Sequence, residues 1–438
     1  MTIARVDLWG RRIGAVSWEP GDPAASFEYD PGFRESGIEV APLTMPLAPT
    51  IYQFPELPEK TFRGLPGLLA DSLPDRYGDA LIDAWLIRQG RPPGSFDAVE
   101  RLCYTGTRGV GALEYQPETG PATVGVDIDV AELVELAAAV LSKRTSLDET
   151  AIASEEAMNR ILQVGTSAGG ARAKAVIAWN PETNAVRSGQ AGLEPGFSHW
   201  ILKFDGVASA DDRGVGNARG YGLIEYAYYR MALAVGIEMT ESRILEEGGR
   251  HHFMTRRFDR TSQGEKIHVQ SLGGLAHFDY NAAGVYAYEQ AIDCMRRLPL
   301  PPAAIEQQFL RAVFNVVARN QDDHVKNIAF LMDKTGSWSL SPAFDVIYAH
   351  NPRGAWTSGH QMTLNGKRDH FTIDDLIAFG RSCNLKPVQA KQVVREVTDV
   401  VARWSAFATD AEVPSDKVSA IRRHLRLDLA SAARGASG

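Results

Sequence analysis

Asn320-Gln321-Asp322-Asp323-His324-Val325-Lys326-Asn327 is the densest polar stretch of this 438-residue sequence, and its flanks decide how it is read. Ahead of it, Leu310, Val313, Phe314 and Val317 recur at the spacing of one helix face. Behind it, Ile328-Ala329-Phe330-Leu331-Met332 is an apolar run of strand length. A loop between a core helix and a core strand holds polar groups in place without burying them unsatisfied. A merely solvated turn is the competing reading. Asp333-Lys334-Thr335-Gly336 then reverses the chain, and Trp338-Ser339-Leu340 returns as a strand into Ser341-Pro342-Ala343-Phe344-Asp345. Such a hairpin predicts that Asn327 and Asp345 meet, whereas a plain turn-capping role for Asp345 is the alternative.

The spacing within the stretch carries chemistry. Asp322 and Asn327 stand as D-x-x-x-x-N, the arrangement in which a kinase aspartate orients the attacking hydroxyl and an asparagine binds magnesium. Asp345 would complete that oxygen-ligand set, although Phe344 precedes it and no glycine follows. Upstream, Lys203 sits between Leu202 and Phe204 on a predicted strand, where it is either a phosphate-contacting lysine or a snorkelling edge residue. Glu225, on a helix predicted from Tyr221 to Ala234, is its candidate ion-pair partner. Gly165-Thr166-Ser167-Ala168-Gly169-Gly170 lets backbone N–H groups approach phosphates. It also reads as G-x-S-x-G, but a helix before it and a strand after it reverse the context of a hydrolase nucleophile elbow. An ordinary flexible loop is the third reading.

The length predicts two to three folding units. Alternating residues around Val6 and Ile13 predict a hairpin, with Ser26-Phe27-Glu28-Tyr29 as a third strand. The order is mixed α/β first and mostly helix from about residue 280. Apolar residues at 44% and charged residues at 23% exclude wholesale disorder. Forty-six basic against 54 acidic residues leave a net charge of -8, which argues against a nucleic-acid coat protein. Cys103, Cys294 and Cys383 are too scattered for a disulfide framework, and no long apolar run is present. A cytoplasmic protein without membrane contact is the expectation.

At these residues the sequence resembles the HipA family of serine/threonine-kinase toxins from bacterial toxin–antitoxin modules. The Asp322-to-Asn327 run and Pro342-Ala343-Phe344-Asp345 are the most specific matches. Leu73-Pro74-Asp75-Arg76, Gly111-Ala112-Leu113-Glu114-Tyr115 and Arg257-Phe258-Asp259-Arg260 extend the resemblance along the chain. It implies an α+β, bilobal protein-kinase-like fold: an N-terminal antiparallel β subdomain (1–120), a mixed α/β nucleotide-binding lobe (121–260) and a mostly helical C-terminal lobe (261–438). It implies Asp322 as the catalytic aspartate and Asn327 and Asp345 as Mg²⁺ ligands. ATP is implied at Ser167, Ala168, Gly169, Gly170, Lys203, Glu225, His324 and Lys326, with adenine near Gln270. Ser167 is the implied autophosphorylation site; a phosphoserine there, carrying about -1.5 to -2 charge, would compete with the γ-phosphate. The implied partners are a small DNA-binding antitoxin, which alone brings the chain to DNA, and a protein substrate such as an aminoacyl-tRNA synthetase. Asp323 stands where family members often carry Gly and is expected to face Mg-ATP with Asp322 and Asp345. A kinase-fold module that binds an antitoxin without turnover, and a serine hydrolase using Ser167, are the other classes.

Overall fold

A computed structural model describes residues 1–74, 76–122, 125, 127–142, 155–165, 172–207 and 219–429. The chain forms two units: residues 1–219, 243–270 and 331–337, and residues 220–242, 271–330 and 338–438.

The first unit contains two five-stranded antiparallel sheets. In one, Thr2–Leu8 lies between Arg11–Trp18 and Leu113–Gln116, and Ser26–Tyr29 and Ile51–Tyr52 extend it beyond Arg11–Trp18. The predicted hairpin and third strand are both present. Alternation sends Val6, Ile13, Val16, Phe27 and Tyr29 into the core. In the other sheet the order is Val186–Ser188, Lys174–Trp179, Ser198–Lys203, Arg250–Arg256, Ser242–Glu247. Its interior strand Lys174–Trp179, second from one edge, is buried at every position, which explains why its sequence is a nearly continuous apolar run rather than an alternating one. Helices Arg76–Arg88, Val130–Ser142 and Glu155–Val164 contribute Leu81, Leu133, Val134 and Ile161 to the same core as Ile177, Trp200 and Leu202.

A buried charge cluster fixes the Arg257–Arg260 motif in this unit. Asp259 accepts from Arg257 Nε (2.8 Å) and Nη2 (2.6 Å), from Arg260 Nη1 (2.8 Å) and from the Gly111 N–H (2.8 Å). Burial alone would raise its carboxyl, but the two guanidiniums and the Gly111 amide hold it well below the usual carboxylate range. Gly111 is glycine for a visible reason: its φ is +80°, and a Cβ there would lie 2.9 Å from the Val269 nitrogen.

The second unit is mostly helical, as predicted, and Tyr221–Ala234 forms the expected helix. Pro302–Val317 starts with proline in its first turn and buries Ile305, Phe309, Val313 and Val316 along one face. It ends in a left-handed turn at Arg319 (φ 58°), and the Asn320 N–H returns to the Asn315 carbonyl at 3.0 Å. Arginine tolerates this glycine-type position because its guanidinium is anchored to Asp369 (3.2 Å) and its Nε donates to the His424 carbonyl (2.8 Å). Strands Ala329–Met332 and Trp338–Leu340 form the predicted hairpin, whose tip, residues 331–337, is counted with the first unit; in its turn Asp333 Oδ1 accepts from the Thr335 and Ser337 amides.

Asp259→Asn leaves two buried guanidiniums undercompensated. It should lower the unfolding free energy by about 3 kcal/mol or more in urea denaturation.

Candidate active site

The left-handed turn at Arg319 aims residues 320–327 back along the second unit, where the Gln321 N–H bonds the Ala349 carbonyl (3.0 Å). Successive side chains of this extended loop point to opposite sides. Asp323 points inward: its carboxylate accepts from Tyr288 Oη (2.7 Å), His360 Nδ1 (2.6 Å) and the Gln361 N–H (2.8 Å). Arg426 Nη1 lies 3.1 Å from His360 Nε2. A guanidinium can only donate, so Nε2 accepts and the ring proton sits on Nδ1, facing Asp323. Burial raises the Asp323 carboxyl, but His360 and the Tyr288 and Gln361 donors outweigh it and hold the group below its ordinary range. Asp323 lines the same cleft as Asn327 and Asp345, but both of its oxygens are taken, so there it is the buried tether of the loop.

Asp322 points the other way, with its side chain 41% exposed. Trp356 Nε1 donates to Oδ1 at 2.6 Å, and His324 Nε2 lies 3.9 Å from the same oxygen. Oδ2 has no hydrogen-bond partner among the described residues. Protein atoms crowd the carboxyl and push its pKa up; His324 and the Trp356 N–H oppose this, while Asp345 and Asp323 add to it. An aromatic frame surrounds the group, with His324 5.7 Å from the Tyr280 ring and 6.3 Å from that of Trp356. Lys326 Nζ lies 4.8 Å over the Tyr280 ring.

Asn327 closes a short 3₁₀ turn, Val325–Asn327, and its Nδ2 donates to the Asp322 carbonyl at 2.7 Å. That bond leaves Oδ1 as the amide's ligand end. Asn327 and Asp345 line one cleft of about 400 Å³, counting its open mouth, together with Asp323 and with Asn320, whose buried Oδ1 has no partner among the described residues. The hairpin thus brings Asn327 and Asp345 into one cleft. Asp345 itself adopts a left-handed backbone (φ 52°), and its carbonyl is 3.5 Å from Asn320 Nδ2. An amide oxygen and a carboxylate are the hard donors Mg²⁺ prefers, so the residues present fit that ion.

Lys203 ends strand Ser198–Lys203 in the first unit, paired in register with Lys174, and its Nζ lies 5.7 Å from the Phe253 ring centroid. Gln270, at the end of that unit's 243–270 segment, has a buried side chain whose Oε1 and Nε2 have no partner among the described residues. Glu225 is buried on helix Tyr221–Ala234 of the second unit. Ser167, Ala168, Gly169 and Gly170 lie outside the described residues. The helix Glu155–Val164 before that loop and the strand Lys174–Trp179 after it keep the order opposite to a nucleophile elbow. Trp356, Tyr288, His360 and Arg426 escaped sequence reasoning because they reach the loop, directly or through His360, from 34 or more positions away. The available signal was Trp356 followed closely by His360 and Gln361 in a long segment without helix, between Leu340 and Ile373.

Residues 4–116 match the HipA N-terminal domain and residues 166–404 the HipA-like C-terminal domain. A Sinorhizobium fredii protein named "Putative kinase Y4mE" is 27% identical over 149 residues, 31% of this chain and 35% of that protein. The match thus spans about a third of that relative's length. A Haemophilus influenzae protein named "Putative kinase" is 20% identical over 235 residues, 47% of this chain and 68% of that protein. The HipA of Shewanella oneidensis MR-1, solved with HipB and operator DNA, superposes with a TM-score of 0.67 at 16% identity, covering 99% of this chain and 97% of that one. That likeness fixes the fold as HipA-like. Among the described residues, no helix is long and apolar enough to cross a membrane.

The tether has a pH signature. Asp323 is held below its unfolded value, near 3.9, so its stabilisation is complete above that value and is lost as pH falls through the folded one. Asp323→Asn should cost about 2 kcal/mol near neutrality and flatten the acid limb of a stability-versus-pH curve measured by urea denaturation.

Proposed function

The chain belongs to the HipA family, and on that premise we propose that it is an ATP- and Mg²⁺-dependent serine/threonine protein kinase, the toxin of a toxin–antitoxin pair. The observation that carries this reading is the pair of adjacent aspartates: Asp323 is a buried tether in the wall of the Asn327–Asp345 cleft, and Asp322, whose carbonyl takes the Asn327 amide, presents its carboxylate to solvent. Trp356 holds Oδ1 of Asp322 and leaves Oδ2 to accept the proton of a substrate hydroxyl. The raised pKa of Asp322 brings its basicity closer to that task. Asn327 Oδ1 and the Asp345 carboxylate would hold the metal. When bound, Mg²⁺ supplies charge neutralisation at the transferring phosphoryl group. Lys203 is proposed for the ATP phosphates, Glu225 as its orienting partner, and His324 and Lys326 for the nucleotide side of the loop. Gln270 is proposed near adenine because its buried amide has both donor and acceptor uncommitted among the described residues.

The division into segments 1–120, 121–260 and 261–438 is part of the same reading. So are a HipB-like DNA-binding antitoxin as partner, DNA contact through that partner, a cytoplasmic setting, and a protein substrate of the aminoacyl-tRNA synthetase class. The resolved HipA complex of Shewanella oneidensis supports the antitoxin assignment by fold.

Asp322→Gln should reduce phosphate transfer from ATP to protein by about 10²–10⁴-fold while the circular dichroism spectrum stays native. Full transfer in that variant would remove Asp322 from the mechanism. Incubation with Mg-ATP should add one phosphate, mapping to Ser167 by peptide mass spectrometry and absent from Ser167→Ala.

A further inference from the structure

A recess in the first unit, away from the groups just described, is lined by Ser198, His199, Arg256, Arg257, Arg260 and Thr261. It measures about 190 Å³ with its open mouth included. Arg256, Arg257 and Arg260 all line the recess, and Asp259 pairs with the latter two, so the lining keeps an excess of positive charge. Asp259 takes Nε and Nη2 of Arg257, but Arg257 Nη1 is buried without a partner, and the side chain as a whole is 1% exposed. Arg256, half-buried at the end of strand Arg250–Arg256, makes no hydrogen bond or ion pair among the described residues. His199 is buried and its Nδ1 is likewise unpaired.

Two hydroxyls of the lining already accept hydrogen bonds, and that of a third, Ser262, donates to Gln263 Oε1 at 2.9 Å. Ser198 Oγ accepts from Trp200 Nε1 at 2.8 Å, and Thr261 Oγ1 accepts from the Glu265 and Gln263 amides at 3.1 and 3.3 Å. Both retain an O–H to donate. The recess therefore offers guanidinium N–H and hydroxyl donors with little to accept. A buried guanidinium N–H left unpaired is costly, and an acceptor-only ligand bearing negative charge cancels that cost.

We propose that this recess is a binding site for a tetrahedral oxyanion, either inorganic phosphate or the phosphoryl end of a small phosphate monoester. The assignment does not rest on the kinase reading. His199 and Lys203 are four residues apart on one extended strand, about 13 Å, so the recess is separate from the lysine proposed for ATP.

The test titrates the full chain with inorganic phosphate, and in parallel with phenyl phosphate, by ³¹P NMR and calorimetry at constant ionic strength. Arg256→Gln is the diagnostic variant, since Arg256 supports no other contact and its loss leaves the Asp259 cluster whole. Lys203→Met is the control for binding at the proposed nucleotide site. The expected result is saturable single-site binding that weakens about tenfold or more in Arg256→Gln and is unchanged in Lys203→Met. Binding of both probes assigns a monoester site, and binding of inorganic phosphate alone assigns the free anion. No saturable binding at millimolar phosphate, equal affinity in Arg256→Gln, or loss of binding in Lys203→Met would overturn the proposal.

Discussion

Asp323 accepts from a tyrosine hydroxyl, an imidazole and a backbone amide in a site closed to water, and the geometry of the candidate active site depends on that bond set. A buried carboxylate persists only when its oxygens are matched by donors. Here the donors come from helix Tyr288–Arg297 and from the 360–361 segment, with Arg426 behind His360. One residue of the 320–327 loop is thereby fixed from several directions. Because an extended chain alternates its side chains, fixing Asp323 inward turns Asp322 outward.

The same logic of matched buried charge recurs in the first unit. Asp259 joins Arg257, Arg260 and the Gly111 amide, so two sequence motifs about 150 positions apart share one electrostatic centre. The two sites differ in what they leave over. The Asp323 set is closed, whereas the Asp259 set leaves guanidinium donors without acceptors. A closed set does structural work, and an open one is a place for a ligand.

Much of the architecture was legible in local pattern. Period-two alternation marked the Thr2–Leu8 and Arg11–Trp18 strands, and the 3.6-residue period marked Pro302–Val317 and Tyr221–Ala234. The candidate chemistry at Asp322, Asn327 and Asp345 was also legible, because a loop between apolar elements and a four-residue hairpin turn are short-range features. The tethering role of Asp323 was not legible, for a physical reason. A sequence shows that two acids are adjacent, but which faces solvent depends on donors supplied from elsewhere. Trp356 was missed on the same ground, since its bond to Asp322 spans 34 positions.

The amino-acid sequence by itself determined the element order, the polar loop between a core helix and a core strand, and the kinase-like spacing of Asp322 and Asn327. Those follow from interactions between near neighbours in the chain. Only the tertiary structure decided which aspartate is the tether, which oxygen of Asp322 stays open, and which arginines keep unspent donors. Each of those depends on side chains that arrive from distant segments, and a hydrogen bond is specified by where two groups meet rather than by either group alone.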